Sequence, residues 1–252
     1  MINTYNETDL HLSLKKIYAL ESEARTEVKI EGTKWIADIM TEAGDVIEIQ
    51  TSNISALTQK VAFLLEKGKK VTVVHPIVEN KFIEMYLPDG TLKSRKKSPQ
   101  HKSIYSILRG LTKIYPYLTH ENFTLEILYV EVSEERRITA EPVQLTNCSR
   151  RHLKNWFPME KKLEKILRKE FYRTKDDYKN LIPKEIQIQE SPFRQLDLIN
   201  AIYDFTGRKT DAKYAPLLIW LFTRMGILDT VQEKPRRLYK VLPATNSLPQ
   251  KS

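Results

Sequence analysis

The sequence holds one cysteine, Cys148, which excludes an internal disulfide and a cysteine-rich zinc site. Without a disulfide framework the expected compartment is a reducing cytoplasm. No stretch approaches the roughly 18 consecutive apolar residues of a membrane span, so no membrane partner is expected. The opening residues MINTYNETDLHL lack the basic-then-apolar layout of a secretory signal. The 7 glycines form no phosphate-cradling loop. There is also no His/Cys metal spacing and no nucleophile elbow, so nucleotide hydrolases and serine hydrolases find no support.

What is present fits a globular chain. The 252 residues are 41% hydrophobic and 29% charged, enough to bury one large core or two small ones. The net charge of +9 is unevenly placed: residues 1–149 carry 19 Lys and Arg against 20 Asp and Glu, whereas residues 150–252 carry 22 against 12. An excess confined to the C-terminal part points to a polyanionic partner.

Apolar spacing sets the expected elements. Leu10, Leu14, Ile17 and Tyr18 share one helical face. TEVKIEG alternates as a strand, KWIADIM is a second, and the turn TEAGD leads into VIEIQT as a third, an antiparallel meander. SNISALTQKVAFLLEKG reads as a helix closed by Gly68, and KKVTVVHPI as a buried strand. KFIEMYLPDGTL predicts a hairpin arm, KSRKKSPQHKS a flexible basic segment including Lys102, IYSILRGLTKIY a helix, and FTLEILYVEV a late strand. The change of character over residues 140–158 predicts a domain boundary. One domain then covers residues 1–148, a basic and mainly helical one covers 149–242, and 243–252 form a polar tail. In the second domain MEKKLEKILRKEF, KDDYKNLI, RQLDLINAIYDFTG and DAKYAPLLIWLFTRMG all read as helices, followed by two short strands around a basic turn.

The meander carries polar residues where a half-buried sheet favours Val or Ile. Strand alternation puts Ile36, Asp38 and Met40 on one face, and Val46, Glu48 and Gln50 on one face of the next strand. Adjacent pairing brings Asp38 beside Glu48 and Gln50. Two carboxylates so placed repel, and a bound divalent cation compensates: Asp38, Glu48 and the carbonyl of Ile49 suit Mg²⁺ or Mn²⁺. Such an ion activates water and stabilises charge on a phosphodiester. Glu7, three residues before Leu10 and seven before Leu14, extends the buried stripe by one turn and is placed to complete the acidic set. His75, before Pro76 at a strand end, reads as structural, and His11 as a helix-surface residue.

The α-β-β-β-α-β order, with Asp38 on the second strand and Glu48-Ile49-Gln50 on the third, resembles the PD-(D/E)XK nuclease superfamily of restriction endonucleases and Holliday-junction resolvases. The resemblance covers about residues 5–80. It implies an α/β fold with a restriction-endonuclease-like core and a mixed sheet. It also implies Mg²⁺- or Mn²⁺-dependent DNA cleavage, in which Asp38 and Glu48 hold the metal, Gln50 positions water or phosphate, and Glu7 supports the metal shell or the general base. Gln50 stands where the superfamily usually carries Lys.

The C-terminal helices and final hairpin resemble a winged-helix domain, with DAKYAPLLIWLFTRMGIL as the recognition helix and DTVQEKPRRLYKVL as the wing. That resemblance implies DNA contacts from Arg208, Lys209, Lys213, Lys234, Arg236 and Arg237. Lys93, Arg95, Lys96 and Lys97 of the basic segment are further phosphate-contact candidates. Three function classes follow: a metal-dependent DNA endonuclease, a catalytically inactive nuclease-fold DNA-binding or adaptor protein, and an interaction protein whose final helices dock on a protein partner. Each is compatible with a homodimer or a subunit of a larger complex.

Overall fold

The apolar spacing that opens the chain becomes the buried stripe Leu10, Leu14 and Tyr18 of helix α1 (Asp9–Glu21). The computed structural model describes residues 9–145, 148, 150–232 and 236–243. After α1 come β1 (Arg25–Lys29), β2 (Ile36–Met40), β3 (Val46–Ile49), α2 (Thr58–Glu66) and β4 (Val71–Tyr86). This is the expected α-β-β-β-α-β order. Strand β5 (Leu92–Lys97), the short α3 (Leu108–Leu111), β6 (Phe123–Val143) and β7 (Lys154–Tyr172) follow. The chain then turns mainly helical: α4 (Lys175–Lys179), α5 (Lys184–Ile188), α6 (Gln195–Thr206), α7 (Lys209–Ala212) and α8 (Ala215–Arg224) precede the hairpin β8 (Leu228–Gln232) and β9 (Leu238–Val241).

Seven strands make one mixed sheet in the order β1-β2-β3-β4-β6-β7, with β5 paired to β4. The meander is antiparallel, Val28 opposite Ala37 and Ile39 opposite Ile47. β3 and β4 are neighbours joined through α2, the connection that parallel strands require.

Two compact units interleave along the chain. One comprises residues 1–52, 73–102 and 126–170, and the other residues 53–72, 103–125 and 171–252. The units therefore do not part near residue 148. The change of character over residues 140–158 belongs to the link between β6 and β7, which are neighbours in the sheet. The segment expected as a polar tail lies, from residue 244 on, outside the described residues.

In the first unit Leu10, Leu14 and Tyr18 pack with Ile39, Ile49, Val74, Leu128, Val130 and Val132, and Leu163 and Ile166 lie against this core. The Tyr18 hydroxyl donates to the buried Glu126 carboxylate, and Lys169 Nζ stands 3.7 Å from Glu126. Burial and the Glu126 charge push the Tyr18 phenol far above its ordinary value.

Two sequence expectations fail here. MEKKLEKILRKEF is strand, the greater part of β7, although Met159, Leu163, Ile166 and Leu167 have helical spacing. Pairing to β6 outweighs that local preference. The burial phase shifts at Glu164-Lys165, both exposed, so Leu163 and Ile166 both reach the core from an extended chain. Its charges pair within the unit: Lys162 with Glu135, Arg168 with Glu79, and Lys169 with Glu21 at 3.1 Å. The basic segment expected to be flexible is likewise ordered over Leu92–Lys97 as β5, where Arg95 lies opposite Glu84.

In the second unit the α8 stripe Ala215, Leu218, Ile219, Leu221 and Phe222 is buried. Helix α6 ends at Gly207, whose φ of 67° is the left-handed closure that glycine adopts without strain. Phe193, just before α6, bridges Tyr239 of β9 through two backbone hydrogen bonds of 2.8 and 2.9 Å, which adds a minimal third strand to the hairpin. α4 opens with a reciprocal cap: Thr174 Oγ1 accepts from the Asp177 N–H, and Asp177 Oδ2 accepts from the Thr174 N–H. Beside it Tyr178 is fully buried, 5.3 Å from the Tyr172 ring, and its hydroxyl has no hydrogen-bond partner among the described residues. A buried hydroxyl without a partner costs desolvation that a phenyl ring avoids. Tyr178→Phe is therefore expected to leave stability unchanged or raise it by up to about 1 kcal/mol. A chemical denaturation midpoint that falls with this substitution would contradict that account.

Candidate functional site

Core packing fixes which way each strand faces. Ile39, Ile49 and Val74 point into the α1-facing core, so Asp38, Glu48, Gln50 and His75 alternate with core residues along their strands, and Asp38, where the β2–β3 ladder ends, still comes within reach of His11 of α1. The pairing of Met40 with Val46 and of Ile39 with Ile47 carries forward to set Asp38 beside Glu48. The ladder between β2 and β3 ends there, and side chains take over its hydrogen bonds. The Ile49 N–H donates to Asp38 Oδ2 at 2.8 Å, and the Asp38 N–H donates to Glu48 Oε1 at 3.4 Å. Glu48 is only 3% exposed and the Asp38 side chain 19%. Two acidic side chains thus meet at a strand end, with the Ile49 carbonyl one residue beyond Glu48.

These donors suit a hard divalent cation, since carboxylate and carbonyl oxygens are its preferred ligands. Among the described residues no three His, Cys, Asp or Glu side chains form a metal-holding group. Glu7, the third acid expected from the sequence, lies outside the described residues.

His11 joins the site, and His75 is buried on the neighbouring strand β4. His11 is not a solvent-facing helix residue: its Nε2 stands 3.3 Å from Asp38 Oδ2, and its side chain is 17% exposed. One turn after Glu7 and next to Leu10 in sequence, it sits at the margin of the buried stripe, which was the available signal. His75 is 8% exposed and its ring hydrogen-bonds the Gln50 backbone. Because Nδ1 has no partner among the described residues, that bond runs through Nε2. Burial pushes the imidazole pKa down to about 4, and the Lys102 charge adds to this against the opposing hydrogen bond. The ring is therefore neutral at physiological pH.

The basic candidates divide by what they touch. Lys93, Lys96 and Lys97 are exposed on β5. Arg95 is instead held within the sheet by Glu84 at 2.7 Å and lies over the Phe82 ring at 4.5 Å. Arg208 pairs with the buried Asp211 at 3.1 Å, and Ser103 donates to the same carboxylate at 2.7 Å. Both arginines thus carry ion pairs within the fold, with 40% of the Arg95 and 39% of the Arg208 side chain still exposed. Lys209, Lys213, Arg236 and Arg237 are exposed, and Lys234 lies outside the described residues.

Residues 8–173 match a family described as Domain of unknown function (DUF8091). A relative from Treponema pallidum (strain Nichols), described as an uncharacterized protein, is 34% identical over 129 residues, covering 51% of this chain. The chain spans about half the length of that relative, 50% of which is covered. No solved structure matches the chain. Among the described residues no helix is long and apolar enough to cross a membrane.

Proposed function

The chain belongs to the DUF8091 family, and from its strand-end carboxylates we propose that it is a cytoplasmic, metal-dependent DNA endonuclease that hydrolyses phosphodiester bonds. The observation that carries this reading is the hydrogen-bonded adjacency of Asp38 and Glu48 where β2 and β3 separate. Two carboxylates brought together at such low exposure repel each other, and a bound divalent cation is one way to offset that repulsion. The order α1-β1-β2-β3-α2-β4 agrees with a PD-(D/E)XK core. The short Phe193 strand pairing with the last strand, around α6 and α8, agrees with a winged helix that supplies DNA affinity.

Asp38, Glu48 and the Ile49 carbonyl would hold Mg²⁺ or Mn²⁺, with Glu7 supporting them. The bound ion lowers the pKa of a water and offsets charge on the phosphate. Gln50 would orient the water or a phosphate oxygen through its amide. Lys93, Lys96, Lys97, Lys209, Lys213, Arg236 and Arg237 would neutralise phosphates and make binding fall steeply with salt.

The presence of Gln50 where such nucleases usually carry Lys favours a second reading, a non-catalytic DNA-binding or adaptor subunit. Incubating the whole protein with supercoiled plasmid and Mg²⁺ or Mn²⁺ separates the two. Nicking that stops in EDTA is expected of the enzyme. Salt-dependent DNA binding without nicking, in either metal, would establish the adaptor instead, and absence of both would remove DNA from the picture.

A further inference from the structure

The outward face of α8 has a chemistry that neither the metal site nor a duplex-reading helix explains. The buried stripe of α8 leaves Trp220 41% exposed. Tyr115 meets its indole edge-on, centroids 5.6 Å apart at 77°, so the ring is braced in one orientation. Beside it a pocket of about 570 Å³ is lined by Arg109, Lys213, Tyr214, Pro216, Leu217 and Trp220. Two cations and two aromatic rings line this pocket, and among the described residues no acid does. The Arg224 guanidinium stands 5.8 Å from the indole centroid, and Lys213 Nζ 5.1 Å from the Tyr214 ring.

We propose that this pocket binds an unpaired nucleobase together with its phosphate, presented by single-stranded nucleic acid. A braced, half-exposed indole offers a flat surface on which any base can stack. Arg109, Lys213 and Arg224 supply positive charge around it for the phosphate that travels with the base. A duplex keeps its base faces stacked inside and presents only edges and phosphates, so it leaves the indole unused. An acidic peptide would satisfy the cations but supplies no ring for Trp220. The volume lies within the range of small-ligand pockets and accommodates one nucleotide. The site lies wholly in the second unit and is independent of Asp38 and Glu48.

The full chain is titrated into a short fluorescein-labelled oligo-dT in EDTA at low salt, so that binding is read apart from cleavage. Binding with quenching of Trp fluorescence is expected. Trp220→Ala is expected to weaken it about tenfold or more, and Trp220→Phe by less than about threefold, since a phenyl ring still stacks. Arg109→Gln with Lys213→Gln is expected to lower the slope of log affinity against log salt by about 1.4, two single-strand phosphate contacts. Should circular dichroism show that Trp220→Ala is unfolded, the Phe and double-Gln variants decide. An oligomer that does not bind, unchanged affinity in the double-Gln variant, or a folded Ala variant of wild-type affinity overturns the proposal. Blunt-duplex binding weakened by Trp220→Ala as much as oligo-dT binding does the same. So does equal affinity for dTMP, which would make the occupant a free nucleotide, and so does competition by poly-glutamate as effective as by unlabelled oligo-dT.

Discussion

Asp38→Ala is expected to lower metal-dependent plasmid nicking at least about a thousandfold, because an ion that stabilises the transition-state charge contributes several kcal/mol and each 1.36 kcal/mol is a factor of ten. The same substitution has a structural cost that must be separated from the chemical one. Asp38 Oδ2 accepts from the Ile49 N–H at 2.8 Å, and removing it leaves that backbone donor without its acceptor, at a cost of about 1–3 kcal/mol. Asp38→Asn splits the two effects. Its amide oxygen can still accept from the Ile49 N–H, so stability is expected within about 1 kcal/mol of wild type. The anionic oxygen is lost, so nicking and Mn²⁺ binding, followed by electron paramagnetic resonance, are expected to fall together. Full nicking by Asp38→Asn would remove Asp38 from the reaction. Retained Mn²⁺ binding with lost nicking would assign it to orienting water instead.

The part of the site legible in the sequence is the part that depends on strand alternation. Asp38 and Glu48 stand out because period-two patterning predicts which residues share a face, and the meander is short enough for its register to follow from its turn. His75 was not legible. Its place opposite the Gln50 backbone follows from β3 and β4 being neighbours, a long-range pairing that no local pattern encodes. His11 required knowing how α1 lies across the strand end. The fold divides similarly: the first six elements follow from periodicity and caps, whereas Met159, Leu163, Ile166 and Leu167 have helical spacing and yet lie in β7. Pairing to β6 supplies the backbone hydrogen bonds there, and the ion pairs from Lys162, Arg168 and Lys169 favour the extended form that sequence alone assigned to a helix. The residue 148 boundary fails for the same reason, since the compositional break marks a connection within a sheet.

His75 makes the protein acid-sensitive, by an amount that its burial sets. In the unfolded chain the imidazole takes a proton near its ordinary pKa of 6.5, and in the fold only near 4. Between these values the unfolded state binds more protons, so stability rises with pH across the window and is lost as pH falls through it. Linkage with these two values gives a loss of about 2 kcal/mol between pH 8 and pH 5, approaching about 3 kcal/mol below pH 4. The opposing bond to the Gln50 backbone and the adverse Lys102 charge are contained in the folded value. His75→Gln has no titrating ring, so its stability is expected to vary less over the same interval, the difference from wild type being about 2 kcal/mol. Comparing the two proteins cancels the carboxylates that titrate in both. Urea denaturation at pH 5 and pH 8 measures this directly, and parallel pH slopes would mean that the ring is not buried as a neutral group.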